Sequence, residues 1–361
     1  MAKKSSYDLK EFNSLGFMDL LGTNVFYNDC YLNSHNDYSN AKILPIAEAL
    51  TKKEYKNNYI WKLFADSKDE YVNVVRKAKP NGYFILGEKS TEKMEIPVNT
   101  CFIISKENQE QKIHNVIVSK EGSNLSVITG CLSSRKIDVT KHIGVTEIFV
   151  GKNSTLEFTM IHSWSSGSEV YPRTRVIVAE GGKFISNYVV INPGKIIRTC
   201  PYIRLEGEKS SAMLSSFIYS GTNSNLDIGG KIDLVARDTK GSIYSNIVAT
   251  GGIVRNSGEL SGYAKNVKAH LDCRGLILTD NAKVTTIPIL NAYKKDIEMS
   301  HEASIGRISK EKLEYLQTKG ISVDRAEKLI VNGFISNSID RLSDNIKKQV
   351  YDMIRGGNFS S

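Results

Sequence analysis

No C-x-x-C pair occurs in this sequence, and its five cysteines (Cys30, Cys101, Cys131, Cys200, Cys273) stand far apart. That excludes a zinc ribbon and a thioredoxin-type redox motif, and an odd count without a secretory leader argues against a disulfide framework. The opening MAKKSSYDLKEF has basic residues but no apolar run after them, and nowhere do 18 apolar residues follow one another. A soluble, cytosolic chain that neither enters nor spans a membrane is expected. Signatures of several enzymes are also missing. No G-x-x-x-x-G-K-[ST] is present, so the chain should not hydrolyse ATP itself, and there is no G-x-S-x-G nucleophile elbow. His301-Glu302 runs on into Ala303-Ser304-Ile305, which is not the H-E-x-x-H of a zinc protease. The six histidines (35, 114, 142, 162, 270, 301) form no legible metal cluster. Proline is scarce at seven residues, which suits a chain that turns tightly on glycine.

What is present bounds the answer further. At 361 residues, 40% hydrophobic and 24% charged, the chain can bury a sizeable core. Its net charge of +9 comes from Lys and Arg interleaved with Glu and Asp, a pattern of solubilising surface with no nucleic-acid partner implied. The middle of the chain repeats: six times a short apolar strand runs into a polar turn and then an apolar anchor, at Leu125, Leu156, Phe184, Met213, Ile243 and Val284. The intervals are 31, 28, 29, 30 and 41 residues. A period near thirty with strand-type alternation inside each unit reads as stacked β-coils; an antiparallel sandwich would space its turns less regularly.

The stretch 299–335 is the most informative. Ser309 and Ser322 are potential N-caps of two short helices, and Gly320 and Gly333 potential left-handed closures. His301 and Glu302 precede them and place an imidazole and a carboxylate at an expected strand-to-helix junction. After a Ser/Asn linker, Ser343 can cap a further helix carrying Ile346, Val350 and Ile354 on one face.

This block resembles the C-terminal signature of the SufB/SufD proteins, the scaffold components of the SUF iron–sulfur cluster assembly system. Further matches follow in family order: HNVIV (114–118), VITGC (127–131), FTMIHSW (158–164), FISNYV (184–189) and HLDCRGLIL (270–278). Together they cover roughly 113–335. The expected fold is therefore mainly β, with a right-handed parallel β-helix over 106–305, an N-terminal α/β segment over 1–105 and a C-terminal helical segment over 306–361.

The resemblance implies a scaffold subunit, not an enzyme, that assembles and transfers iron–sulfur clusters with a SufC-type ABC ATPase. It implies a homodimer or a heterodimer with a SufB/SufD paralogue, a sulfur donor and apo-protein acceptors as further partners, and reduced flavin as a possible cofactor. Thiolate holds iron firmly and harder imidazole or carboxylate ligands loosen a site, so Cys273, His301 and Glu302 offer a mixture suited to holding and releasing a transient cluster. Cys200 is a candidate sulfur-handling thiol. Leu313, Leu316, Leu329, Ile330, Phe334, Ile346, Val350 and Ile354 are candidate ATPase contacts. Alternatives are a SufD-like structural partner without its own cluster, a β-helix carbohydrate-active enzyme, or a structural adhesin or tail-fibre β-helix.

Overall fold

The structure is a computed structural model that describes residues 23–32, 40–90, 97–134, 136–339 and 347. Ser343, Ile346, Val350 and Ile354 lie outside the described residues, as does most of the expected last helix. The described residues begin with β1 (Thr23–Tyr27), β2 (Cys30–Leu32), β3 (Ala41–Pro45), the short helices α1 (Ile46–Ala49), α2 (Lys53–Asn58) and α3 (Glu70–Lys77), then β4 (Tyr83–Gly87) and β5 (Val98–Ile104). There follow β6 (Glu110–Ser119), β7 (Asn124–Ser133), β8 (Lys141–Val150), β9 (Thr155–Trp164), β10 (Glu169–Val178), β11 (Lys183–Pro193), β12 (Ile196–Thr199) and β13 (Tyr202–Leu205). The last strands are β14 (Ser211–Ser220), β15 (Asn225–Leu234), β16 (Lys240–Ala249), β17 (Gly252–Gly262), β18 (Val267–Ile277), β19 (Ala282–Ala292) and β20 (Ile297–Arg307), ahead of α4 (Lys310–Thr318) and α5 (Val323–Ile339).

Strands alternate between two sheets, so the chain winds as a parallel β-solenoid of about seven turns. Sheet A runs β2-β1-β5-β7-β9-β11-β14-β16-β18-β20; sheet B runs β19-β17-β15-β12-β10-β8-β6-β4-β3, with β13 continuing β12 between β10 and β15. The stacking begins with β1, β4 and β5, ahead of residue 106, and ends with β20 at Arg307.

Pairing explains the sequence period. On sheet A one inward row runs Leu125, Leu156, Phe184, Ala212, Gly241, Ala269, Met299, each 28 to 31 residues beyond the last. Leu125, Leu156 and Phe184 are thus true equivalents. Met213 is one residue out of line, Ile243 two, and Val284 lies on sheet B, which is why its interval stretched to 41. The turns before Ala269, Tyr263-Ala264-Lys265-Asn266, and before Met299, Tyr293-Lys294-Lys295-Asp296, are the repeats missed.

Six successive B-to-A corners, from β6–β7 to β17–β18, each hold one left-handed residue, Gly122, Asn153, Gly181, Lys209, Asp238 and Asn266, all with φ between 52° and 67°. Glycine, asparagine and aspartate tolerate that conformation best, hence their recurrence. At Gly181 a Cβ would also lie 2.2 Å from Asn153 Oδ1, so a larger residue would push that side chain aside.

Inward side chains such as Val127, Phe158, Leu214, Ile232 and Leu260 form one continuous core. Sheet B is coated at its N-terminal end by α1–α3. There Glu147, fully buried on β8, accepts the N–H of Trp61 (2.5 Å) and of Leu63 (2.6 Å) and bonds His114 Nε2 (2.9 Å), while Trp61 stacks on the His114 ring. The outer face of sheet A carries a second apolar layer, including Ile161, Val189 and Phe217, against which α5 lays Val331, Phe334 and Ile335.

The capping expectations hold in part. Ser309 caps α4 by accepting from Lys312 N, and Gly320 is left-handed at φ 81°. Gly333 does not close the second helix: α5 continues to Ile339, because docking Phe334 and Ile335 on sheet A outweighs glycine's weak helix propensity.

Candidate functional site

His301 and Glu302 lie inside strand β20, and α4 starts only at Lys310, so the expected strand-to-helix junction is instead the last coil of the solenoid. Adjacent strand residues point to opposite faces. His301 follows Ile297 and Met299 on the inward row and pairs with Leu271. Its Nε2 is buried without a hydrogen-bond partner. Glu302 is exposed on the outer face, where it pairs in register with Asp272. Asp272 is already engaged by Arg274 (2.9 Å), and His270 Nδ1 meets Ser300 Oγ at 2.8 Å close by.

Cys273 sits on the same inward face of β18, flanked in register by Ser245 and Ala303, and is 1% exposed. Burial pushes its thiol up to about 11, with the nearby Asp272 adding and an Asn256 hydrogen bond opposing. Asn256 Nδ2 reaches the sulfur at 3.5 Å, Ser245 Oγ donates to Asn256 Oδ1 at 3.1 Å, and Ser216 and Ser245 hydroxyls are 3.0 Å apart. The structure therefore brings Cys273 and His301 to one luminal face and turns Glu302 away from both. Among the described residues no three His, Cys, Asp or Glu side chains of one chain are grouped to hold a metal ion. What the structure shows is one thiol and one imidazole on the same luminal face, with β20, which carries His301, the last strand of sheet A among the described residues.

That end is also where apolar surface is left bare. Among the described residues, six of the eleven exposed large hydrophobic side chains, Ile253, Tyr263, Ile289, Leu290, Tyr293 and Ile305, belong to the last two coils and their turns.

Cys200 occupies the break between β12 and β13, beside Pro201. It is exposed, although its sulfur lies against Gly229. Burial of the sulfur and then Glu259 and Asp227 raise its pKa, a setting that disfavours the thiolate. It lies in the layer of sheet B, apart from the Cys273 row on sheet A.

The helical candidates divide by environment. Leu313, Leu316 and Ile330 are half-buried, Leu329 is exposed, and Phe334 is half-buried against sheet A. Asn256 was not anticipated: it lies 17 residues before Cys273 on the opposite sheet, and no spacing rule pairs residues across the lumen.

Residues 102–334 match the family model described as SUF system FeS cluster assembly, SufBD core domain. The chain is 36% identical over 313 residues to an iron-sulfur cluster assembly SufBD family protein of Archaeoglobus fulgidus, covering 87% of this chain and 84% of that one. It is 32% identical over 318 residues to one from Methanothermobacter thermautotrophicus, covering 87% and 77% of the two chains. A Staphylococcus haemolyticus relative of the same description is 30% identical over 258 residues, covering 70% of this chain and 55% of that protein.

Proposed function

The chain belongs to the SufBD family and takes part in iron–sulfur cluster assembly, and from that premise we propose that it is a scaffold subunit whose cluster-holding set is completed across a two-fold axis by a second copy or a paralogue. The observation that carries this reading is the luminal face shared by Cys273, buried on β18, and His301 on the last strand β20, at the end of the solenoid where Ile289, Leu290 and Ile305 are exposed. A two-fold operation on one thiolate and one imidazole supplies four donors, enough for an iron site that is neither all-thiolate nor too firm to release its cargo. Glu302, on the outer face, serves as an exchange ligand only if the edge strands rearrange on pairing. The unsatisfied backbone edges of β19 and β20 offer such pairing.

In this reading the chain performs no catalysis of its own and works in the cytoplasm with a SufC-type ATPase engaged by α4 and the exposed part of α5. Leu313, Leu316, Leu329 and Ile330 are the side chains best placed for that contact, while Phe334 is occupied by the body of the protein. Anaerobic reconstitution tests it. Cys273→Ser and His301→Ala should each lower bound iron and sulfide while leaving the unfolding midpoint close to wild type. Unchanged iron and sulfide in both variants would favour the second reading, a structural partner that carries no cluster, and truncation after Ile308 that leaves ATPase co-purification intact would refute the helical contact.

A further inference from the structure

We propose that Asn256 is a positioning residue for the Cys273 sulfur, and that Ser245, backed by Ser216, holds the oxygen end of its amide. The inference rests on the reading of Cys273 as a cluster-binding thiolate. Asn256 stands on β17, in the sheet opposite Cys273, and is 3% exposed on the inward face. Its Nδ2 lies 3.5 Å from Cys273 Sγ, while its Oδ1 accepts the Ser245 hydroxyl at 3.1 Å. Ser245 is in turn 3.0 Å from Ser216 on the next strand of sheet A, and is the register neighbour of Cys273 itself.

An amide has one donor end and one acceptor end, so fixing either fixes both. With Ser245 donating to Oδ1, the N–H end faces the sulfur. Turned round, Oδ1 would face a sulfur that is anionic once it binds iron, placing two sets of lone pairs against each other. A serine hydroxyl can donate or accept, so the anionic sulfur itself selects this orientation, and Ser245 donates to the oxygen end that it leaves.

An N–H···S bond to a neutral thiol is weak, but it strengthens when the sulfur carries negative charge. The contribution of Asn256 to the empty protein should be small and its contribution to a metal-bound sulfur large. Hydrogen bonds to cluster sulfurs are among the means by which proteins tune such groups. Small side chains at Ser216 and Ser245, which border a luminal cavity of about 50 Å³, leave the row uncrowded.

Cadmium titration of the full-length protein tests this. The readout is the part of the ultraviolet sulfur-to-cadmium absorption that is lost in Cys273→Ser. Asn256→Asp, which keeps the volume and the Ser245 bond but removes the donor, and Asn256→Leu should each weaken this cadmium site by about 10–100-fold. Ser245→Ala should weaken it less, and should add nothing in the Asn256→Leu background, because the serine acts only through the amide. Wild-type cadmium affinity in Asn256→Asp and Asn256→Leu, with the band still lost in Cys273→Ser, would overturn the positioning role and leave Cys273 as a ligand. A band fully retained in Cys273→Ser would overturn the ligand reading and this inference with it.

Discussion

The two ends of the solenoid are built from the same strands and finished in opposite ways. At the N-terminal end, Phe26, Tyr83 and Phe102 stack inside the first coils at or below 1% exposure, and the outer face of sheet B lies under α1–α3. At the C-terminal end, β19 and β20 have no fully buried residue, and Ile289, Leu290, Tyr293 and Ile305 face solvent. A terminal coil with unpaired backbone and bare apolar side chains is a poor place to stop unless something else covers it. The closed end holds the large buried aromatic side chains, and the open end is where the proposed donors Cys273 and His301 lie.

Truncation mutants should expose that contrast most sharply. Phe102→Ala at the closed end should cost roughly 3–5 kcal/mol, the range for emptying a fully buried aromatic site. Ile305→Ala at the open end should cost less than about 1 kcal/mol, since it removes little buried area. Urea unfolding of the two variants checks the pair, and similar losses would mean that the last coil is buried in solution by a stable partner copy.

Next comes the anchor of the helical layer. Glu147→Leu removes the acceptor of two backbone N–H groups and the partner of His114, all within a buried setting, and should cost roughly 3 kcal/mol. The damage should be local, so limited proteolysis should cut first between α2 and α3. Cleavage that starts elsewhere would mean that the layer holds without Glu147.

Acid should act on the closed half before the open one. Burial drives His142 down to about 3 and His162 well below its ordinary value, so both stay neutral in the fold while the unfolded chain protonates them near 6.5. Their stabilising contribution is therefore full above pH 6.5 and is lost as pH falls from there toward the folded values, by about 1.4 kcal/mol per pH unit for each histidine. Denaturant midpoints measured between pH 7 and pH 5 should fall accordingly, and His142→Gln should flatten the slope.

The open end should answer to association more than to stability. Leu290→Asp should shift the unfolding free energy by no more than about 0.5 kcal/mol, as expected of a surface change, yet convert the assembled protein to monomer on sizing. A monomeric wild type, with no paralogue present, would remove the reason for the bare surface.

Legibility in the sequence followed the same divide. The thirty-residue period and the strand alternation revealed the solenoid, because Leu125, Leu156 and Phe184 repeat the same inward position and Gly122, Asn153 and Gly181 the same left-handed corner. Where Ala212 and Gly241 replace large anchors in the row, the period blurred, and the apparent anchor slid to Met213 and Ile243. Cys273 and His301 could be picked out as chemically able, but the polarity of a two-residue alternation was needed to see that Glu302 turns away. Asn256 reaches Cys273 across the lumen, and Gly333 is held in a helix by a surface distant in sequence. Both are tertiary facts without a local signature.

His301 offers the smallest effect on stability and the most discriminating test of whether the open end is functional. Its Nε2 is buried without a partner on a row otherwise made of Leu271, Ile297 and Met299. Selection for folding alone would favour an apolar residue there, because an unsatisfied buried nitrogen forfeits hydration for nothing in return. His301→Leu should therefore leave stability unchanged or raise it by up to about 1 kcal/mol, while iron retained after anaerobic reconstitution falls. That opposition of signs is what a ligand waiting for its metal predicts, and it matches the general trade between stability and active groups. A clear loss of stability in His301→Leu would show instead that the imidazole has a structural partner in the assembled protein, and would move the donor set away from the luminal face.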